Sequence, residues 1–214
     1  MDFRKVETKG IGYVEPVKGS KSFYWGSDLL GGDLYEAEET FRAGHEMRSN
    51  RVVLVSYPEG VVYEPLKASQ GQYLGRPVCS EGMIYLLLVD FFEEKIRIYR
   101  WDGEAAVAEV FVELPLSEVK DCYNLMLTVE PLTLTRQGAE NRFQVVWPEK
   151  GDFEIYPQES LEGREGDVLL FARWFEDPDY REETYVRAYP GGELVQTEKG
   201  CCWRMPDGSV WLVG

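Results

Sequence analysis

A strand–turn–strand pattern recurs along the chain and constrains its fold more than any other feature. Each copy is a run of β-branched and aromatic residues that ends in an aromatic residue and is followed by a turn containing glycine. The terminal aromatics are Tyr57, Trp101, Trp147 and Tyr189, separated by 44, 46 and 42 residues. Proline presets φ in such turns and glycine takes the positive φ that hairpins need. The pattern predicts four β-hairpins, with a further hairpin at 203–213.

Additional strands are predicted on both sides of these hairpins. Nearly continuous apolar runs at 83–89, 125–129 and 168–175 are typical of strands buried on both faces. More polar strands follow the turns at 107–114, 153–156 and 193–197. The segment Asp33 to Met47 fits either a short helix or a strand, and the residues leave that choice open. The repeating unit is thus an inner strand, a middle strand, a turn and an outer strand.

This unit resembles a blade of a β-propeller, which has about four strands and a period of ~40–45 residues. The resemblance covers residues 51–200 and is to the architecture in general, since the chain has no WD, Kelch or Asp-box motif. It implies an all-β fold of about five blades, closed by pairing of the N- and C-terminal strands. The expected organisation is one domain, 1–214, with approximate blades at 1–33 with 201–214, 34–80, 81–121, 122–165 and 166–200. A β-sandwich or an irregular antiparallel barrel is the alternative.

The charge balance excludes several classes of partner. The chain has 23 Lys plus Arg against 38 Asp plus Glu, for a net charge of -15. Such a charge repels phosphate backbones and anionic headgroups, so we expect no nucleic-acid and no membrane partner. The N-terminus has no apolar signal region, and no apolar run approaches the ~20 residues that span a bilayer. We therefore expect a soluble, cytoplasmic protein.

Familiar catalytic and cofactor motifs are missing from the sequence. His45 is the single histidine and lies in a charged segment, and the chain contains no GxSxG motif and no phosphate-binding loop. The four cysteines, at 79, 122, 201 and 202, form no CxxC and are expected to be structural thiols. The sequence therefore predicts no catalytic residue, no metal and no cofactor.

Acidic and aromatic residues provide the candidate ligand site. Asp90, Glu130 and Glu176 each follow an apolar strand, and Asp28 would be a fourth member of the same ring at one rim of a propeller channel. Such a ring would bind a cation or hold a carboxylate pair for glycoside chemistry, although acids at strand ends also simply mark where a hairpin meets water. Tryptophans at less regular positions would stack on a sugar or anchor a partner. The candidate ligand-binding residues are Trp25, Asp28, Asp90, Glu130, Trp174 and Glu176.

Three functions remain open from the sequence. The first is a non-catalytic binding or scaffold module that recognises a protein or a small ligand at the channel rim. The second is a carboxylate-based glycoside hydrolase or sugar-binding protein, which would need two carboxyl groups about 5–10 Å apart. The third is a self-associating structural protein that uses aromatic residues on blade edges.

Overall fold

Antiparallel strands account for most of the regular secondary structure of the chain. The computed structural model describes residues 3–28, 33–205 and 208–214. Within these ranges there is one α-helix, α1 (Leu34–Arg42), and one short 3-10 turn, Leu116–Glu118. The chain divides into an N-terminal unit, residues 1–129, and a C-terminal unit, residues 130–214. The prediction of an all-β fold is confirmed.

Two sheets belong entirely to the N-terminal unit. The first has its four strands in chain order: β1 (Glu15–Pro16), β2 (Phe23–Ser27), β3 (Val52–Ser56) and β4 (Val62–Tyr63). The second has the order β5-β7-β8-β9, with β6 also paired to β7: β5 (Gln72–Leu74), β6 (Val78–Ser80), β7 (Met83–Asp90), β8 (Lys95–Trp101) and β9 (Glu109–Pro115). Apolar side chains of both sheets, including Leu54, Leu86 and Trp101, form one buried cluster. The two sheets therefore share a core.

The next two sheets are four-stranded meanders in chain order. The third sheet contains β10 (Met126–Thr128), β11 (Thr133–Gly138), β12 (Arg142–Trp147) and β13 (Gly151–Glu154). The fourth contains β14 (Glu159–Glu165), β15 (Val168–Phe175), β16 (Arg181–Ala188) and β17 (Leu194–Lys199). The boundary between the two units falls in the turn between β10 and β11. A separate two-stranded sheet follows, made of β18 (Cys201–Arg204) and β19 (Val210–Val213).

The recurring pattern marks hairpins, as predicted. The four repeats form β3–β4, β8–β9, β12–β13 and β16–β17, all antiparallel. In the last of these turns Gly192 has φ +83°, and a Cβ there would lie 2.0 Å from the ring of Phe153. Glycine is needed at this position both for the backbone conformation and for the ring that packs on it. The turn residues in the sequence therefore predicted these hairpins correctly.

The number of blades differs from the prediction. Four sheets follow one another along the chain, and three of them are four-stranded meanders like the blade of a propeller. This arrangement supports a propeller architecture with four blades rather than five. The predicted closure of a fifth blade by terminal strands is not confirmed, since β1 pairs with β2 and β19 pairs with β18. The physical reason is that β2 pairs with β3 across the connection that carries α1, so the strands β1 to β4 complete a sheet of their own.

The ambiguous segment after residue 33 is a helix. Asp33 accepts hydrogen bonds from the backbone N–H groups of Tyr35 (2.9 Å) and Glu36 (3.0 Å). The Glu36 carboxylate in turn accepts from the Asp33 N–H at 3.2 Å. This reciprocal capping box satisfies free donors at the helix start and favours a helix over a strand.

A buried ion pair lies among the aromatic core residues of the C-terminal unit. Nε of Arg187 donates to Glu159 at 2.6 Å and Nη2 at 2.9 Å, and the two side chains are 7% and 0% exposed. Arg187 also donates to the Gly192 carbonyl at 2.9 Å, and Glu159 accepts from the Tyr156 N–H at 2.7 Å. The pair thereby joins β14 and β16 to the hairpin turn at Gly192. Breaking it would leave an uncompensated buried charge.

We expect Arg187→Met to destabilise the protein by about 3–5 kcal/mol, because Glu159 would stay buried without its cation. Urea denaturation followed by circular dichroism measures this. The matched control is Arg142→Met, which removes a half-exposed arginine paired with Asp152 at 2.7 Å and should cost less than about 1 kcal/mol. Equal losses for the two variants would contradict the role assigned to the buried pair.

Candidate functional site

A cleft of about 570 Å³ opens in the N-terminal unit and is the candidate ligand site. One side comes from the first sheet and the chain before it, and the other from β5, the start of α1 and the segment before β10. Its lining combines aromatic, aliphatic and polar side chains: Tyr13, Glu15, Trp25, Ser27, Asp33, Leu34, Asn50, Tyr73, Leu74, Arg76, Cys122, Asn124, Leu125 and Met126. A mainly apolar concave surface with a few polar groups is the usual character of a small-molecule site.

Asn50 fixes the floor of the cleft. Its side-chain amide donates to the Leu74 carbonyl at 2.8 Å and accepts from the Leu74 N–H at 2.7 Å. Both residues are buried, so this amide satisfies two backbone groups that water cannot reach. Asn50 lies two residues before the start of β3, whereas Leu74 ends β5. The pair therefore ties the edge of the second sheet to the first.

Two aromatic side chains form the open wall of the cleft. Trp25 on β2 lies opposite Glu15 on β1, and Tyr13 precedes Glu15 by two residues. The chain at Tyr13 passes so close to Gly26 that a Cβ there would lie 2.3 Å from the Tyr13 carbonyl oxygen. Trp25 is half-buried, and Tyr13 is 57% exposed. Gly26 thus holds Tyr13 beside Trp25 and leaves both rings reachable from solvent.

Tyr73 is the buried aromatic residue of the cleft. Burial raises its pKa to about 12, and the nearby carboxylates of Asp33 and Glu36 act in the same direction. The phenol therefore keeps its proton at neutral pH and offers a hydrogen-bond donor or acceptor rather than a charge.

Arg76 is the cationic side chain of the cleft lining. It is exposed and follows β5, and it makes no hydrogen bond or ion pair within the described ranges. Two acids also line the cleft. The Asp33 carboxylate already accepts the hydrogen bonds of the helix cap. The half-buried Glu15 has no side-chain partner in the part of the chain that the structure describes. Arg76 and Glu15 are therefore the charged groups available to a ligand.

Cys122 borders the cleft as a neutral thiol. Burial raises the pKa of this thiol, and the neighbouring Glu38 carboxylate raises it further. Glu38 accepts from the Cys122 N–H at 2.6 Å and forms an ion pair with Arg42 at 2.6 Å. Because the thiolate is the reactive form, Cys122 is unsuited to act as a nucleophile.

Of the sequence-predicted site residues in the N-terminal unit, Trp25 lines the cleft and the two acids do not. Asp28 follows β2, where it accepts from the Arg51 N–H at 2.7 Å and pairs with Arg48 at 3.2 Å. Asp90 ends β7 and is buried. Each acid has its own local partners, and those partners differ.

The remaining three predicted residues lie in the C-terminal unit. Glu130 is an exposed turn residue that pairs with Arg204 at 3.0 Å. Trp174 is partly exposed on β15, opposite Glu182, and Glu176 is exposed just after that strand. Glu130 follows the first strand of its sheet, whereas Asp90 and Glu176 follow strands that have sheet neighbours on both sides. The three acids therefore do not occupy matching places.

The structure gives Asp90 a role in its turn. It accepts from Gln72 at 2.7 Å, from Arg97 at 3.2 Å and from the Glu93 N–H at 2.9 Å. Burial raises the pKa of Asp90, but these hydrogen bonds and the Arg97 charge outweigh it and hold the pKa below its ordinary value. A general acid for glycoside cleavage needs a raised pKa, so Asp90 has the opposite tuning.

The described residues provide neither a metal site nor a membrane-spanning helix. Across residues 3–28, 33–205 and 208–214, no three His, Cys, Asp or Glu side chains are grouped so that they would hold a metal ion. The described part of the chain also has no helix with the length and apolar character to cross a bilayer.

Sequence reasoning missed most of the cleft. Tyr13, Asn50, Tyr73 and Arg76 fall in no motif, and no two of them are adjacent in sequence. The one available signal was Asn50, an amide two residues before the apolar run of β3.

Comparison with protein-family models, curated proteins and solved structures finds no match to this chain.

We expect Asn50→Ala to destabilise the protein by about 2–4 kcal/mol, because both backbone groups of Leu74 would lose their partners in a buried place. Chemical denaturation at neutral pH measures the loss. Gln196→Ala is the control, since that exposed amide bonds only its neighbour Glu198 and should change stability by less than about 0.5 kcal/mol. A loss for Asn50→Ala no larger than that of the control would contradict the floor assigned here.

The depressed pKa of Asp90 predicts a pH-dependent effect of Asp90→Asn. The stabilisation that ionised Asp90 gives the folded protein is present above a pH of about 3.9, the pKa of an aspartate in an unfolded chain. This stabilisation is lost as the pH falls through the lower pKa that Asp90 has in the folded protein. We expect Asp90→Asn to cost about 1–3 kcal/mol at pH 7 and progressively less below pH 4. Urea titrations of both proteins between pH 7 and pH 3 measure the difference. A difference that stays constant over this range would refute the assignment.

Proposed function

We propose that this protein is a non-catalytic binding module whose cleft takes a small molecule with a flat ring, an anionic group and a hydrogen-bond donor. The observation that carries the proposal is Arg76, a guanidinium with no partner among the described residues, in the same cleft as the half-buried Trp25 and the exposed Tyr13. The sequence-based proposal of a binding module stays, and its ligand site is assigned to this cleft.

The aromatic wall selects for a ring. Trp25 and Tyr13 offer large apolar surfaces that stack on an aromatic ring or on the apolar face of a sugar. The side chains of Leu34, Leu125 and Met126 add apolar lining. A volume of about 570 Å³ lies within the ~300–1,000 Å³ of small-molecule sites and is too small for a folded partner.

The charged groups select what the ring carries. A guanidinium binds carboxylate and phosphate with two parallel hydrogen bonds. Glu15, also without a partner in the described ranges, would accept from an ammonium or a hydroxyl group. A ligand with both groups has little net charge, so the overall charge of -15 does not repel it. An aromatic amino acid has this set of groups, and a sugar acid has a related one.

A matched set of probes tests this proposal. Saturation-transfer NMR would compare L-phenylalanine with phenylalaninamide, which lacks the carboxylate, and with 3-phenylpropionate, which lacks the ammonium group. Glucuronate and glucose form the corresponding sugar pair. We expect the carboxylate probes to bind and phenylalaninamide and glucose to bind at least tenfold more weakly, since a hydrogen-bonded charge contributes about 1.5–3 kcal/mol.

Three variants assign the contacts. Trp25→Ala should abolish binding of every probe, and Arg76→Gln should remove the preference for a carboxylate. Glu15→Gln should remove the preference for phenylalanine over 3-phenylpropionate. The controls Trp203→Ala and Arg142→Gln alter an exposed tryptophan and a half-exposed arginine of the C-terminal unit and should leave binding unchanged. Binding that survives Trp25→Ala, or no binding of any probe at millimolar concentration, would refute the proposal.

A further inference from the structure

One side of the cleft is a turn segment, residues 122–126, which leads into β10. The members of this segment that line the cleft are Cys122, Asn124, Leu125 and Met126. The Leu125 N–H donates to the Cys122 carbonyl at 3.1 Å and closes the turn, and Asn124 has φ +47°. A residue other than glycine keeps this left-handed conformation where its surroundings hold it, and such residues are common at ligand sites. The turn segment therefore needs support from the chain around it.

The support comes from one face of α1. Tyr35, Glu38 and Arg42 are spaced three and four residues apart and therefore lie on the same face of the helix. The Tyr35 ring packs edge-on against the Tyr123 ring, with centroids 5.0 Å apart. Nη2 of Arg42 donates to the Lys120 carbonyl at 3.2 Å. These contacts hold α1 alongside the chain that enters the turn segment.

Glu38 makes the hydrogen bond that holds the first residue of the turn segment. Its side chain is 2% exposed, and its carboxylate accepts from the Cys122 N–H at 2.6 Å. The other carboxylate oxygen forms the ion pair with Arg42 at 2.6 Å. Cys122 is buried, so water cannot replace Glu38 as the acceptor while the turn segment stays in place. Without Glu38 the segment would shift until this N–H found another partner.

Asn124 is the residue of the turn segment that can offer hydrogen bonds to a ligand. It is exposed and lines the cleft, and its side chain makes no hydrogen bond with another residue in the described ranges. A side-chain amide offers donors and an acceptor together. Because the turn fixes the Asn124 backbone, a shift at Cys122 would move this amide relative to the rest of the cleft.

We propose that Glu38 is a positioning residue of the cleft, which holds the turn segment through Cys122 so that Asn124 makes a hydrogen bond with the bound ligand. This inference rests on the small-molecule binding proposed above, and it adds Asn124 to Arg76 and Glu15 as a ligand contact. Glu38 is not among the residues that line the cleft. Its effect on affinity is therefore transmitted by one buried hydrogen bond.

Two variants of Glu38 separate positioning from stability. Glu38→Gln and Glu38→Ala both remove the charge that pairs with Arg42, so both should lower the urea midpoint. The glutamine side chain still accepts from the Cys122 N–H, whereas alanine does not. We expect the Kd for L-phenylalanine, measured by NMR titration, to rise at least about tenfold in Glu38→Ala and to stay within about threefold of the wild-type value in Glu38→Gln. The control Glu46→Ala removes an exposed acid outside α1 and should change neither stability nor Kd.

Asn124→Gly tests the ligand contact. Glycine keeps the left-handed backbone and removes the amide, so the Kd should rise about fivefold without a loss of stability. A Kd that is unaffected by Asn124→Gly or by Glu38→Ala would overturn the proposal. An equal rise in both Glu38 variants would also overturn it, because the ion pair and not the hydrogen bond to Cys122 would then control binding.

Hydrogen exchange of the free protein tests the positioning without a ligand. The Cys122 and Leu125 amides should exchange at least about tenfold faster in Glu38→Ala than in Glu38→Gln or Glu46→Ala. Equal exchange rates in the three variants would overturn the role of Glu38. If the wild-type protein binds no probe, the proposed binding function and the Asn124 contact both fail, whereas faster exchange in Glu38→Ala still supports Glu38 as the residue that holds the turn segment.

Discussion

The cleft depends on the side-chain amide of Asn50, which makes the two hydrogen bonds that a neighbouring strand would otherwise make. Asn50 gives Leu74 the donor and the acceptor that a neighbouring backbone would supply, and it does so where neither group can reach water. Because of this contact, the edge of the second sheet keeps a fixed distance from the first. Trp25 and Glu15 lie on the first sheet, Tyr73 lies on β5, and Arg76 comes just after β5. This pair of hydrogen bonds, together with the apolar core that the two sheets share, therefore holds the two sides of the candidate ligand site in place.

Most charged groups elsewhere stabilise turns and strand pairs. Asp28 accepts from Arg51 beside β2 and β3, Asp90 fixes the turn after β7, and Glu159 pairs with Arg187 within the fourth sheet. A sequence with 38 acids therefore has fewer available carboxylates than its composition suggests. Against this background Arg76 stands out among the arginines of the described residues as the one without a partner, and together with Glu15 it is the basis of the proposed ligand chemistry.

The elements that the sequence predicted are those set by local physics. Turn residues and β-branched runs gave the four hairpins, and the apolar run at 83–89 gave β7. The strand β11 was missed because Thr133–Gly138 is mainly polar, although the fold buries Leu134 and Arg136. The number of blades and the cleft depend on pairings between distant segments, such as β2 with β3 and Asn50 with Leu74, which no local pattern encodes. Of the six predicted site residues, Trp25 lines the cleft.

The claim on which the account rests is that the cleft recognises a ring together with an anionic group. The most direct measurement is a crystal structure of the protein soaked with L-phenylalanine. We predict density in the cleft, with the ring on Trp25 and the carboxylate within hydrogen-bonding distance of Arg76. An empty cleft, or a ligand whose carboxylate points away from Arg76, would contradict it.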